Sequence, residues 1–208
     1  MKKIMMTLLA LVPLTLWAQD NVWEQPEEEQ EPEVKEVEVK VNPDQKYLKG
    51  AVPMVDGKVV FSTHIEAPGK SAAQVYDIVK GYMEKMLKQQ NQINSSIVTD
   101  DPAAHRLAGY FEEWLVFKKT FIAYDRTRFI YALEADCMDG AADIRISRIR
   151  YIYDEERNAQ RYTAEEWISD KEAVNKKNTK LLPLSGKFRR KTIDRKDFLF
   201  GKFQSLLN

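Results

Sequence analysis

Residues 58–65 alternate between the two faces of an extended chain, with an apolar or β-branched side chain at every second position: Val59, Phe61, Thr63 and Ile65. A period of two residues predicts a β-strand with these four side chains on one face. The dipeptide Asp56-Gly57 precedes this segment and Pro68-Gly69 follows it. Because glycine and proline favour turns, the strand is expected to end at these two dipeptides.

Residues 71–90 have the period of a helix instead. Ser71 precedes Gln74 by three positions, which is the spacing of a capping box at a helix N-terminus. Apolar residues then recur at intervals of three or four positions: Val75, Ile78, Val79, Tyr82 and Met86. This pattern predicts a long amphipathic helix that begins after Ser71 and ends at about Gln90.

Four further strands are predicted downstream of this helix, at residues 95–99, 107–118, 127–138 and 142–153. The dipeptide Asp139-Gly140 separates the last two strands. It predicts a hairpin, because both residues tolerate the positive φ angles that tight turns require. The two strands are therefore expected to pair antiparallel to each other.

The last of these strands changes its apolar face partway along its length. Ile144 and Ile146 lie on one face, whereas Ile149, Tyr151 and Tyr153 lie on the other. Two arrangements fit this pattern: either both faces are covered, or a β-bulge near Ser147-Arg148 exchanges the faces.

The C-terminal part has two helical patterns. Thr163 precedes Glu166 by three positions, which predicts a short capped helix. Pro183 and Gly186 then indicate a break, and residues from Asp194 onward predict a closing amphipathic helix on Leu199, Phe203 and Leu206, flanked by Phe198, Phe200 and Leu207. The predicted order is β-α-β-β-β-β-α, an α+β domain in which helices pack on one face of an antiparallel sheet.

The chain contains one cysteine, Cys137, so it cannot form an intramolecular disulfide. Cys137 continues the apolar alternation of Phe129, Tyr131, Leu133 and Ala135. We therefore interpret it as a small buried hydrophobic residue rather than a reactive thiol.

The N-terminal residues 1–18 have the order of a cleavable secretory signal peptide. Two lysines at positions 2 and 3 precede an uncharged, mostly apolar stretch that ends at Trp17. This stretch is too short to span a bilayer, which needs about 20 apolar residues. Cleavage is predicted between Ala18 and Gln19. The protein is thus expected to be exported and to be periplasmic, outer-membrane-associated or secreted.

Residues 19–46 are predicted to form an acidic disordered spacer in front of a single domain at residues 47–208. The formal net charge of the chain is zero, but residues 19–46 contain ten acidic residues and three lysines. The stretch at 25–33 has two prolines and no apolar side chain, so it cannot bury enough surface to fold. The alternating valines at 34–41 fit a charged linker or an edge strand.

No set of residues has the spacing of an enzyme active site or of a metal site, and no cofactor is predicted. His64 is interpreted as a surface or half-buried residue, and a nucleophilic pair of Cys137 with His105 is disfavoured because Cys137 continues an apolar strand face. Glu112 and Glu113 are adjacent in a strand and point to opposite faces, so they cannot act as one acid–base pair.

Positive charge is concentrated near the C-terminus. Residues 158–208 contain twelve basic and six acidic side chains. The densest bases give a candidate surface for an anionic partner: Lys187, Arg189, Arg190, Lys191, Arg195 and Lys196. The alternative is an ordinary solvated face. If the surface is exposed, neutralising Arg189, Arg190 and Lys191 together should leave the melting temperature nearly unchanged.

Several of these features together resemble a family of exported Bacteroides-type proteins of unknown function. They are the signal peptide, the acidic spacer, the strand at 57–61 before a capped helix, the Asp139-Gly140 hairpin and residues 163–168. The resemblance covers roughly residues 55–205 and implies a fold like one repeat of the TATA-binding protein (TBP), with a curved antiparallel sheet and both long helices on one face. It implies no activity, substrate or catalytic residue.

These observations favour a non-catalytic binding or scaffolding module of the cell envelope, with a hydrolytic enzyme as the alternative. The partner is unknown; anionic lipid, acidic polysaccharide and an envelope protein are the candidates. Nucleic acid is not expected as a partner, because unrelated functions share folds and an exported protein seldom meets DNA.

Overall fold

The structure is a computed structural model and describes residues 42–121 and 124–208 of the 208-residue chain. The predicted signal peptide, its cleavage site between Ala18 and Gln19, and the valine-rich segment 34–41 lie outside the described residues. Among the residues described, no helix is both long and apolar enough to cross a membrane.

The main sheet has six strands and is antiparallel throughout. A short hairpin of β1 (Met54–Val55) and β2 (Lys58–Val59) comes before it and turns at Asp56-Gly57, both of which have positive φ. The six strands are β3 (Phe61–Glu66), β4 (Ser96–Asp101), β5 (Arg106–Lys119), β6 (Tyr124–Met138), β7 (Ala141–Tyr153) and β8 (Gln160–Thr163). Their spatial order is β3-β7-β6-β5-β4, and β8 pairs with the second half of β7.

The described helices are α1 (Ala72–Leu87), α2 (Ala164–Trp167), α3 (Asp170–Ala173) and α4 (Ser185–Leu207), together with a 3-10 turn at Gln45–Tyr47. The capping boxes predicted at Ser71 and Thr163 are both present. The helices α1 and α4 contact each other and pack on the same face of the sheet, called here the covered face. This arrangement confirms the predicted α+β class.

The start of α4 corrects the prediction. The helix begins at Ser185, nine positions before the predicted start, and it contains Gly186, which the sequence indicated as a breaker. A Cβ atom at Gly186 would lie 2.7 Å from Cβ of Leu181. Glycine therefore permits close packing here. Near the helix end, Leu207 is buried whereas Leu206 is 43% exposed. The prediction that Leu206 belongs to the core is therefore wrong.

A β-bulge accounts for the change of face in β7. The register between β6 and β7 shifts between Ile130 and Ala132, so that one residue of β6 faces two of β7. Arg148 has a φ of 54°, which is the left-handed region. After the bulge, Ile149 and Tyr151 lie on the covered face and are buried. The second arrangement proposed from the sequence is thus the one present.

The domain includes residues that the sequence analysis assigned to the spacer. The side chain of Asn42 donates a hydrogen bond to the carbonyl of Thr179 at 2.7 Å. Asp44 forms an ion pair with Arg190 of α4 and accepts a hydrogen bond from the backbone of Leu181. Residues 42–46 therefore belong to the folded domain, and the predicted boundary after residue 46 is wrong. These contacts join residues that are far apart in the chain, so the local composition does not predict them.

Cys137 is expected to react slowly with thiol reagents in the native protein. It is buried on the covered face, as predicted. Burial, followed by the charge of Asp136, raises the pKa of its thiol to about 12. Relative to the ordinary thiol pKa of 9.0, this lowers the thiolate fraction by roughly a thousandfold at neutral pH. Labelling followed by mass spectrometry, with and without denaturant, measures the difference. Equal rates would contradict both the burial and the strand register.

Candidate binding site on the open face of the sheet

The second face of the main sheet, called here the open face, lies opposite α1 and α4. Because side chains alternate along a strand, its residues lie between the positions that face α1 and α4. In the three central strands they are Ala108, Tyr110, Glu112 and Trp114 of β5, Arg126, Arg128, Ile130, Ala132 and Glu134 of β6, and Arg145, Arg148, Arg150 and Ile152 of β7. The open face is thus rich in arginine and carries aromatic side chains.

Arg126 is held in a stack of aromatic rings at one end of this face. Its guanidinium carbon lies 3.6 Å from the ring centroid of Trp114 and 4.7 Å from that of Tyr124. A guanidinium that stacks on a ring keeps its N–H donors at the edge, where they can bind carboxylate or phosphate. The nearest carboxylate is Glu156 at 3.6 Å, whose side chain is 86% exposed. Arg126 is therefore oriented but only loosely paired.

These aromatic rings and Arg126 line a cavity of about 710 Å³. Acidic groups line the same cavity, namely Asp125, Asp154, Glu155 and Glu156. The cavity therefore presents both donors for an anion and acceptors for hydroxyl groups.

Arg128 is the second arginine of this cavity, and it is fully engaged. It donates hydrogen bonds to Glu155 and, at 2.9 Å, to Glu112. These hydrogen bonds, to Glu155 first and then to Glu112, raise the pKa of Arg128. Tyr110 donates to the same Glu112 at 3.3 Å. The buried carboxylate of Glu112 is thus compensated from two sides, and Arg128 serves the structure rather than a ligand.

A second depression of about 330 Å³ lies further along the open face. Its floor is apolar or small because Ala108, Ile130 and Ala132 occupy it, and Arg148 and Arg150 stand at its side. The bulge at Arg148 adds this arginine to the face, beside Arg150. Both arginine side chains belong to exposed residues.

The acidic residues near this second depression are already paired with other arginines. Arg106 contacts Asp136 at 2.9 Å, and Arg145 contacts Glu134 at 3.4 Å. Among the ion pairs of the described residues, none involves Arg148 or Arg150. The positive charge of these two arginines is therefore uncompensated by a contacting carboxylate in the described part of the chain.

The prediction of a basic surface at the start of α4 is wrong for two of its six residues. Arg189 and Arg195 are fully buried, and each is bonded inside the domain. Three of the others form ion pairs, Lys187 with Asp125, Arg190 with Asp44 and Lys196 with Asp197. Lys191 is half-buried on the same helix. Sequence counting detects the charge of these residues but not the long-range partners that bury them.

Arg189→Met is expected to lower the free energy of unfolding by about 2 to 3 kcal/mol, because a charged donor to several buried acceptors is lost. Arg189 donates to the carbonyls of Tyr47, Leu48 and Ile168 at 2.6 to 2.7 Å and also to Asp170. Urea denaturation measures the loss. Lys191→Gln on the same helix is the matched control and should change stability by less than about 1 kcal/mol. This replaces the expectation that substituting Arg189, Arg190 and Lys191 together would spare the melting temperature.

The histidines and the cysteine do not assemble into one site. His64 lies exposed on β3, as predicted, and its Nδ1 is 2.7 Å from Asp143. His105 precedes β5 and accepts a backbone hydrogen bond from Cys137 through its carbonyl, while its ring packs edge-on to Tyr76. Glu112 and Glu113 point to opposite faces, which confirms that they cannot act together. In residues 42–121 and 124–208, no cluster of three or more His, Cys, Asp or Glu residues could hold a metal ion.

The open-face arginines are not among the residues predicted from the sequence. A usable signal existed: Arg126, Arg128, Arg148 and Arg150 occupy the polar positions of strands whose other positions are apolar. A cluster of charge on one face of a sheet becomes apparent only when the strand register and the charges are considered together. The count of basic and acidic residues over 158–208 did not include these arginines.

An antiparallel sheet with two long helices on one face and an open second face defines the TBP-like class of α+β folds. A TBP-like protein from Parabacteroides distasonis ATCC 8503 shares this fold, with a TM-score of 0.62 and 21% identity over 75% of this chain and 96% of that one. Residues 61–152 match the family model described as "Domain of unknown function (DUF4468) with TBP-like fold". The crystal structure of a DUF4468 family protein from Bacteroides ovatus ATCC 8483 is 42% identical, covers 79% of this chain and 95% of that one, and has a TM-score of 0.74.

The chain therefore belongs to the DUF4468 family. Comparison with curated proteins gives no match. The family and its fold agree with the resemblance noted from the sequence. The family assigns no ligand, so the open face itself is the evidence for function.

Proposed function

We propose that this protein is a non-catalytic binding module of the cell envelope, and that the open face of its sheet is the binding surface. The observation that carries the proposal is Arg126, whose guanidinium is stacked on Trp114 at 3.6 Å while its ion-pair partner Glu156, also at 3.6 Å, has a largely exposed side chain. A donor that is oriented in advance loses little freedom when a ligand binds. Such an arginine is suited to an anionic ligand from solvent.

The alternative is a hydrolytic enzyme, which would need a nucleophile within reach of a base. The thiol of Cys137 is buried and has a raised pKa, which is the opposite of an activated nucleophile. His105, the base considered for Cys137, bonds to Cys137 through its backbone carbonyl, and its ring packs on Tyr76. These placements support the binding module over the enzyme.

Export is part of the proposal and rests on the charged, apolar and small-residue order of residues 1–18. The mature protein is expected to begin at Gln19. Intact-mass measurement of the protein recovered from its native compartment tests this directly. A mass that still includes residues 1–18 would overturn the export proposal and leave the open-face proposal to be judged separately.

The binding proposal is tested by mixing the protein with purified, insoluble cell-envelope material and measuring both the protein that sediments and the soluble sugar ends released. We expect retention that falls as salt is added, because exposed charges are screened beyond about 8 Å at physiological ionic strength. Trp114→Leu with Arg126→Gln should abolish retention. Lys85→Gln, an exposed change on α1, is the matched control and should retain the protein.

Two results would contradict this proposal. Retention of the Trp114/Arg126 variant at the level of the parent would show that the open face is not the binding surface. Progressive release of sugar ends by the parent but not by the variant would favour the enzyme.

A further inference from the structure

We infer that the ligand of the open face is a linear acidic polysaccharide in which uronic acids alternate with neutral sugars; this inference rests on the proposed binding function. Two features carry it: the separation of two arginine sites along the strands, and the acidic side chains that stand beside them. Neither feature involves the buried arginines of α4.

The first feature is the spacing of the loosely paired arginines. Arg150 pairs with Ile130 across the sheet, and Ile130 is four residues from Arg126 along β6. At about 3.3 Å per residue, this places Arg126 and the Arg148–Arg150 pair roughly 13 Å apart along the strand direction. One phosphate or carboxylate group cannot reach both sites. A chain that carries repeated anionic groups can bind both at once.

The second feature limits the charge density of that chain. Asp154, Glu155 and Glu156 line the cavity of Arg126, and Glu134 lines the depression of Arg148 and Arg150. A nucleic acid carries a phosphate at every nucleotide, so many of its charges would face these carboxylates. A polymer with neutral sugars between its carboxylates places charge only at the arginines. Its hydroxyl groups then donate hydrogen bonds to Asp154 and Glu156, whereas Glu155 and Glu134 are already paired with Arg128 and Arg145.

The surface between the two sites fits the same ligand. Ile152 is half-buried and presents apolar surface there, and Trp114 and Tyr124 stand at one end. Sugar rings have apolar faces that pack on such side chains. A lipid bilayer fits less well, because Arg126 lies in a cavity of about 710 Å³ rather than on a projecting surface.

The test uses the mature protein and four probes: hyaluronate, in which uronate and neutral sugar alternate; neutral dextran; phosphatidylglycerol vesicles; and single-stranded DNA. Titration calorimetry or affinity electrophoresis gives the affinity. We expect hyaluronate to bind and dextran not to bind. Arg126→Gln, and separately Arg148→Asn with Arg150→Gln, should each weaken hyaluronate binding by about tenfold or more, because each removes a charge-assisted contact.

The variants are chosen so that folding does not confuse the result. Asparagine tolerates the positive φ of Arg148, so the bulge is preserved. The melting temperature of each variant should equal that of the parent, and Lys85→Gln should leave hyaluronate affinity unchanged. Unchanged affinity in the Arg148/Arg150 variant would overturn the two-site inference.

The other probes distinguish failure of this inference from failure of the proposed function. Tighter binding of vesicles or of DNA than of hyaluronate, lost in the same variants, would overturn the polysaccharide assignment and leave the open face as the binding surface. The same holds if hyaluronate does not bind but envelope material still requires Trp114 and Arg126. Binding to envelope material that does not depend on Trp114 and Arg126 would overturn both proposals.

Discussion

Glu113→Ala is expected to lower the free energy of unfolding by about 3 to 5 kcal/mol, because it leaves a buried arginine without its counter-charge. The side chains of Glu113 and Arg195 are both fully inaccessible to solvent. Arg195 donates to both carboxylate oxygens of Glu113 at 2.7 Å. Burial alone would lower the pKa of Arg195, but the adjacent charge of Glu113 raises it overall. The pair thus joins α4 to the centre of β5.

The same carboxylate accepts hydrogen bonds from Gln92 at 2.8 Å and from Asn91 at 3.1 Å. Chemical denaturation of the parent and of Glu113→Ala measures the loss. The control is the double variant Glu113→Leu with Arg195→Met, which should recover part of the stability, because no unpaired charge remains although Asn91 and Gln92 lose their acceptor. A loss below about 1 kcal/mol in the single variant would show that the pair is not sealed from water.

Phe203→Ala is also expected to cost about 3 to 5 kcal/mol, through lost apolar burial and the cavity it leaves. Phe203 is fully buried on α4 and packs edge-on against Tyr82 of α1, with ring centroids 5.0 Å apart. The contact joins the two long helices on the covered face. Thermal and urea unfolding both measure this effect.

Leu206→Ala is the matched comparison on the same helix turn. Because Leu206 is 43% exposed, its truncation should change stability by less than about 0.5 kcal/mol. The sequence pattern predicts that both residues belong to the core. Similar losses for the two variants would contradict the helix orientation described here.

Much of the fold could be predicted because its determinants are local. The capping box at Ser71 and the alternation that includes Cys137 each follow from residues close together in the chain. The bulge near Arg148 is one of the two arrangements that the local pattern allows. The start of α4 could not be predicted in this way. Gly186 carries the local signal of a break, but its role is set by contact with Leu181, which only the tertiary structure reveals.

The candidate site was less accessible to sequence analysis than the fold. Arg189 bonds to the carbonyl of Tyr47, 142 positions away, and Arg195 bonds to Glu113, 82 positions away. Charge counting therefore assigned to the surface two arginines that belong to the interior. The stack of Arg126 on Trp114 depends instead on the register of β5 and β6, in which Trp114 pairs with Arg128. The two-residue alternation of a strand predicts the face on which each side chain lies, but it does not predict which residues of β5 and β6 pair.

The docking of residues 42–46 has a directional consequence. Asn42 is fixed to Thr179 and Asp44 to Arg190, so the chain enters the domain on the side where α4 lies. That side is opposite the arginine-bearing surface of the sheet. Any attachment upstream of Asn42 would therefore pull on the back of the domain and leave its front pointing away from the point of attachment.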